Sequence, residues 1–337
     1  MLSPGSEAEL AQQRRMLNAR VTASGLYTHE PAEFEAAIRA YRRLVDRLAI
    51  ESDVKSLATP ESRNIVRLVT RSDGTAAVLK VMGHGREPGE GEVLHGWRQH
   101  GLPCANPLKW GYERLPGQGT GHIASFILTA YIEGEPLTHK TSDSLEEKER
   151  QLEELVEFIQ PFHSAAVNVP SGRSWSDRMW LHLKWTVPLI MAAGFREPEG
   201  WREKLQILSE RGRVVIHGDP AGANVLRTPS GLILLDPPGA LIASREADVA
   251  QICSQVGGAT LAPRMIAKAC DFDPTLHPEA LACLAGINIF VWAGYLLVGH
   301  DNPDIARDRP ADHDRQMAEG ARYLALAAEL IECFKPV

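Results

Sequence analysis

Residues 214–239 read VVIHGDPAGANVLRTPSGLILLDPPG. Two apolar runs, Val214–Ile216 and Leu232–Leu235, are each followed by polar residues, with Thr228-Pro229-Ser230-Gly231 between them. Short apolar runs bounded by Gly, Pro, Asn and Asp predict strands, and the Pro-Ser-Gly step predicts a hairpin that folds the second run back beside the first loop. His217, Asp219, Asn224 and Asp236 then stand at strand ends, held still but gaining little burial. A single Asp or Asn in a turn is ordinary, because its side chain bonds the local backbone. Three such residues and a histidine at these intervals ask for a chemical reason.

Phosphoryl transfer needs few protein parts. A carboxylate orients or deprotonates the attacking hydroxyl, a divalent cation neutralises the phosphates, and a fixed cation steadies the nucleotide. Mg2+ prefers oxygen and takes only one or two side-chain ligands from the protein. Asp219 fits the first part. It precedes Asn224 by five residues, so one tight loop presents both side chains to a common point. Asp236 returns on the hairpin; Asn224 and Asp236 are expected to share Mg2+ and leave Asp219 to face a hydroxyl. His217 is expected to brace the loop through hydrogen bonds.

HGDPAGANVL followed by LLDPPG resembles the catalytic loop and metal-binding aspartate of the aminoglycoside phosphotransferase family. The Asp-Pro-x-Gly form is most similar to its streptomycin 6-phosphotransferase and hydroxyurea phosphotransferase branch. The resemblance implies an α+β, bilobal protein-kinase-like fold with a small β-rich N-lobe, a larger mostly helical C-lobe, and ATP and Mg2+ between them. It also implies roles upstream. Lys80 in AAVLKV stands where the family places the lysine that grips the ATP phosphates. Glu90 in EGEVLHGW stands where a glutamate pairs with that lysine; Glu92 competes, because helical phase alone does not decide. Thr129, Ala130, Tyr131 and Ile132 match the hinge whose backbone meets adenine, with Tyr131 placed to stack on the ring. Asp248 in READVAQI matches a buried structural aspartate. Two features depart from the pattern: Ala221 stands where the family often has a second histidine, and no Gly-rich loop precedes Lys80, so Ser62 in TPESRN is assigned the phosphate contact.

The resemblance covers about residues 56–250 by motif, and the rest of the chain is read from its patterns. Residues 1–55 are expected to form a helical N-terminal extension, because PAEFEAAIRAYRRLVDRLAI repeats apolar residues at helical spacing with arginines opposite. Residues 56–133 form the expected nucleotide-binding N-lobe. Within them NIVRLVTRSDGTAAVLKVM holds two β-prone runs around Asp73-Gly74, a hairpin turn signal. Residues 134–337 form the expected helical C-lobe with the catalytic loop and acceptor site; its first helix, from DSLEEKERQLEELVEFIQPFH, has Asp143 or Ser144 as N-cap. GHGREPGEGE lacks the spacing of a phosphate cradle and reads as a β–α connection.

Composition bounds the partners. The 337 residues are 44% hydrophobic and 23% charged with a net charge of -7, which argues against nucleic-acid binding and fits a cationic small molecule better. Five cysteines without a CxxC pair read as free thiols of a reducing cytosol. The first residues lack the apolar core of a secretory signal, and Leu281–Gly299, uncharged but diluted by glycines, reads as a core helix in preference to a membrane span. A cytoplasmic location is expected. The late acidic residues, Asp271 to Asp314, read as solvated surface, with a contact to a cationic substrate as the alternative.

The function expected is ATP- and Mg2+-dependent transfer of the γ-phosphate to a hydroxyl of a small molecule, an aminoglycoside-like antibiotic of the streptomycin type first. The alternatives are a metabolic kinase acting on an amino alcohol, a sugar or hydroxyurea, and a catalytically silent nucleotide-binding relative. Intact Lys80, Asp219, Asn224 and Asp236 argue against silence.

Overall fold

The computed structural model describes residues 4–24, 30–58, 64–83, 89–115, 123–137, 143–167, 175–237, 241–298 and 310–335. The chain divides into two units, Met1–Gln99 with Cys104–Glu133 and His100–Pro103 with Gly134–Val337.

The first unit is built on one antiparallel sheet: β1 (Ile50–Ser56), β2 (Ile65–Arg71), β3 (Ala76–Met82), β4 (Pro107–Arg114) and β5 (Ile123–Ala130), in the order β1-β2-β3-β5-β4. Helices α1 (Pro4–Ser24) and α2 (Glu30–Arg47) precede it, and α3 (Gly89–Gln99) follows β3. The β2–β3 turn is made by Asp73-Gly74: Asp73 Oδ1 accepts the Thr75 N–H at 3.0 Å and Gly74 takes a φ of 79°.

Helix α2 turns its apolar stripe to the sheet. Phe34, Ile38, Tyr41 and Leu44 are buried in one core with Ile65, Val69, Leu79, Phe126 and Leu128. Two of its arginines reach the edge of the same sheet, where Arg43 and Arg47 each meet Glu113 of β4 at 2.7 Å. A buried cation fastens α1: Arg67 of β2, 2% exposed, donates to Asp53 of β1 at 2.7 Å and to Ser6 at 3.2 Å, and pairs with Glu9. The helical reading of residues 1–55 therefore stops at Arg47. Ile50–Ser56 is an edge strand whose polar sequence, IESDVKS, carries no local strand pattern; pairing with β2 makes it one. Residues 1–55 supply two helices and a strand to the unit's own core instead of an appended extension.

In the second unit β6 (Glu135–Leu137), β8 (Gly222–Thr228) and β9 (Gly231–Leu234) form a three-stranded antiparallel sheet, order β6-β8-β9. β7 (Val214–Ile216) pairs with β10 (Leu241–Ala243). Helices α4 (Leu145–Ser164), α5 (Trp175–Ala192), α6 (Trp201–Glu210), α7 (Glu246–Phe272), α8 (Pro278–Val298) and α9 (Pro310–Glu332) make up the rest. Ser144 is the N-cap of α4, its Oγ accepting the Glu147 N–H at 3.2 Å. The uncharged segment becomes α8 and is core: Leu281, Cys283, Ile287, Ile289 and Phe290 are fully buried. Gly294 of α8 lets α5 approach, since a Cβ there would stand 2.4 Å from Thr186 Cβ. Among the described residues, no helix is long and apolar enough to cross a membrane. All five cysteines are free thiols.

Candidate active site

Strand β7 ends at Ile216, and the next three residues form a loop seated on α7. Asp248, in the first turn of α7, is fully buried. Its carboxylate accepts the His217 N–H at 2.9 Å, the Gly218 N–H at 2.7 Å and His163 Nε2 of α4 at 2.9 Å. Burial pushes this carboxyl up, but the His163 hydrogen bond and charge, His217 and the Gly218 N–H outweigh it and hold it below the usual carboxylate range. Gly218 must be glycine: its φ is 83°, and a Cβ would lie 2.8 Å from Leu241 Cδ1. Arg178 of α5 closes the far side, donating to the Gly218 carbonyl at 3.1 Å.

His217, expected from the sequence to gain little burial, is fully buried and ties this loop to the segment that carries Asp236. Its Nδ1 accepts the Asp219 N–H at 3.2 Å, so the ring proton sits on Nε2, which donates to the Leu235 carbonyl at 2.5 Å. Burial pushes the imidazole below its ordinary value against the pull of the Asp248, Asp219 and Asp236 carboxylates. The neutral ring is the form with one donor and one acceptor nitrogen that these two bonds need.

Asp219 and Asn224 are in contact. Asn224 Nδ2 donates to the Asp219 carbonyl at 3.0 Å and to Asp219 Oδ2 at 2.9 Å. A carboxylate only accepts, so the amide nitrogen faces it and the amide oxygen is turned away from Asp219. Asp236 is brought alongside by the β8–β9 pairing, in which the Leu235 N–H donates to the Asn224 carbonyl at 2.7 Å. Asp236 itself takes a φ of 44°, a left-handed conformation that aspartate tolerates better than most residues. An amide oxygen and a carboxylate on adjacent strand ends, both partly exposed, match the hard oxygen set that Mg2+ prefers. Among the described residues, no group of three or more His, Cys, Asp or Glu is placed to hold a metal ion. A divalent cation here would rest on Asn224, Asp236 and oxygens of its own ligand.

In the first unit the structure decides between the two glutamates. Lys80 Nζ of β3 meets Glu90 Oε1 at 3.0 Å and Oε2 at 2.9 Å, and both residues are under a tenth exposed. Glu92 is exposed. Two residues apart on a helix point to opposite sides, so burying Glu90 against β3 turns Glu92 to solvent. Thr129 and Ala130 end β5 opposite Val78 and Ala77. The Ala130 and Tyr131 N–H groups are used by the Asn106 carbonyl at 2.9 Å and the Ala76 carbonyl at 3.2 Å; Tyr131 is 40% exposed and Ile132 follows.

Ser62 lies outside the described residues, as do Asp301, Asp304 and Asp308. Asp273, one of the late acidic residues, is committed to the α7–α8 turn, accepting from Gln160 at 3.1 Å and from the Thr275 N–H at 3.0 Å. Two residues missed in the sequence reach the loop: Gln251 and Gln255 of α7 donate to Asp219 Oδ1 at 3.2 and 2.6 Å. Their spacing from Asp248, three and seven residues on one helix face, is the signal that was there to find.

A five-stranded antiparallel sheet with a buried Lys–Glu pair, and a helical unit with an Asp–Asn loop beside a strand-end Asp, together define a kinase-like phosphotransferase. The model of the APH phosphotransferase enzyme family matches residues 53–282, and the chain belongs to that family. It is a phosphotransferase whose acceptor is a hydroxyl of a small molecule. No curated protein gives a significant match. Among solved structures, the amicoumacin kinase hAmiN in complex with AMP-PNP, Ca2+ and Ami is similar at 15% identity and a TM-score of 0.61, over 88% of this chain and 95% of that one. A microcompartment-associated aminopropanol kinase is similar at 15% identity and a TM-score of 0.56, over 88% and 96%. A thermostable mutant of aminoglycoside phosphotransferase APH(4)-Ia, in ternary complex with ADP and hygromycin B, follows at 14% identity and 0.53, over 88% and 99%. At these identities the likeness is one of fold.

Proposed function

We propose that the chain moves the γ-phosphate of ATP, with Mg2+, to a hydroxyl of an aminoglycoside-like antibiotic of the streptomycin type. The observation that carries the reading is the Asp219 carboxylate, held by Asn224 at 2.9 Å beside the strand end that bears Asp236. Asp219 orients the acceptor hydroxyl and takes its proton. Asn224 and Asp236 hold the cation, which when bound neutralises the charge on the phosphate oxygens. Lys80, oriented by Glu90, anchors the phosphates, and the Thr129–Ile132 backbone receives the adenine, with Tyr131 against the ring. The first unit is then the nucleotide-binding part, and the second carries the catalytic loop and acceptor site. The net charge of -7 and free thiols suit a cationic acceptor and a cytoplasmic setting. The aminoglycoside phosphotransferase among the neighbours of this fold supports the acceptor class, and the aminopropanol kinase among them makes amino alcohols the second class to try.

A panel of streptomycin, other aminoglycosides, amino alcohols, sugars and hydroxyurea, read by ADP release, tests this. Asp219→Ala serves as the blank. It should lower kcat by about 10²–10⁴, the usual contribution of a positioned base, with little change in KM for ATP. Undiminished turnover in Asp219→Ala removes Asp219 from its role. Stabilisation by Mg-ATP with no transfer to any acceptor would favour the silent relative.

A further inference from the structure

The two glutamines on Asp219 add something to the site that its motif does not contain. A carboxylate has about four lone-pair positions. Gln255 Nε2 and Gln251 Nε2 occupy Oδ1 at 2.6 and 3.2 Å, whereas among the described residues Oδ2 takes one side-chain donor, Asn224 Nδ2 at 2.9 Å. Two amides reaching one oxygen from successive turns of α7 is not the arrangement of solvated surface glutamines; both residues are only partly exposed. Room for this contact depends on Gly222, where a Cβ would come within 3.3 Å of Gln255 Oε1. One stripe of α7 therefore sets the loop twice: Asp248 holds the His217 and Gly218 backbone, and Gln251 and Gln255 hold the Asp219 side chain.

We infer that Gln251 and Gln255 are positioning residues that saturate Asp219 Oδ1, leaving Oδ2 as the atom that receives the acceptor's proton. In the transfer step the acceptor O–H proton passes to Asp219 Oδ2 while the acceptor oxygen bonds the γ-phosphorus. The bond from that phosphorus to the bridging oxygen breaks, and ADP leaves with the electron pair. The inference rests on Asp219 being the base. The two amide donors hold one rotamer of the carboxylate, so that Oδ2 has a fixed direction.

The test uses the full chain with Mg-ATP and the acceptor found in the panel. Gln255→Leu removes a donor to Oδ1 and should lower kcat about tenfold or more, as loss of a hydrogen bond to a charged group does, with KM for ATP unchanged. Gln255→Glu, of the same shape but without the amide donor, should lose at least as much, and Gln255→Leu should cost nothing further in Asp219→Ala. Wild-type kcat in both Gln255 variants, or an equal loss on the Asp219→Ala background, overturns the inference while leaving Asp219 itself standing. Full turnover in Asp219→Ala instead overturns the reading beneath it.

Discussion

Replacing Asp248 by asparagine changes one atom at the point where α7 seats the loop. The carboxylate accepts three donors from within the core, His217 N–H at 2.9 Å, Gly218 N–H at 2.7 Å and His163 Nε2 at 2.9 Å. An amide of the same shape has one oxygen. If that oxygen takes the His217 and His163 side, its NH2 group faces the Gly218 N–H, donor against donor. The stranded N–H costs about 1–3 kcal/mol, and the two remaining bonds each lose roughly 1 kcal/mol with the charge. Asp248→Asn should therefore destabilise the second unit by about 3–5 kcal/mol, in the range for breaking a buried charged pair. At about 2–4 °C per kcal/mol for a unit of this size, the melting temperature falls by roughly 10 °C. Calorimetry at neutral pH reads the shift, and turnover should fall with it because the backbone beneath Asp219 loses its seat. His163→Ala, which leaves both backbone bonds in place, should cost less. A melting temperature within about 2 °C of the wild type, with full turnover, would refute the reasoning.

Acidification should lower stability in two stages. Burial depresses the His217 imidazole, so below its ordinary value near about 6.5 the unfolded chain takes up a proton that the folded chain refuses. Asp248 is also depressed: its contribution is intact above the unfolded carboxyl value of about 3.9 and is lost as pH falls through the lower folded one. Melting temperature against pH shows both stages, and His217→Gln should abolish the first; a first stage that survives the substitution contradicts the assignment. Lys80→Met keeps the aliphatic stem beside β3 and removes the cation, so Mg-ATP affinity by calorimetric titration should drop about tenfold; equal affinity would exclude Lys80 from the phosphates. Phe34→Ala opens a cavity between α2 and the sheet and should cost the first unit about 3–5 kcal/mol in denaturant unfolding. A loss below about 1 kcal/mol would mean that α2 is only laid on the surface.

The juxtapositions legible in the sequence are those between near neighbours along the chain. His217, Asp219, Asn224 and Asp236 fall within twenty residues of each other, and the turn between β8 and β9 leaves little choice about which strand ends meet. The Asp73-Gly74 turn and the apolar stripe of α2 are signals of the same reach. β1 escaped because an edge strand with polar residues has no period of its own; it exists through Arg67, Asp53 and the β2 ladder.

The sequence by itself determined the chemistry: which oxygens are offered, at what spacing, and hence the phosphotransferase class. Only the tertiary structure decided the partners. It chose Glu90 over Glu92 for Lys80, made Asp248 the seat of the loop, placed Gln251 and Gln255 on Asp219, and turned the uncharged segment into a core helix. Spacing along a helix states which residues share a face, but what that face meets depends on packing against elements scores of residues away.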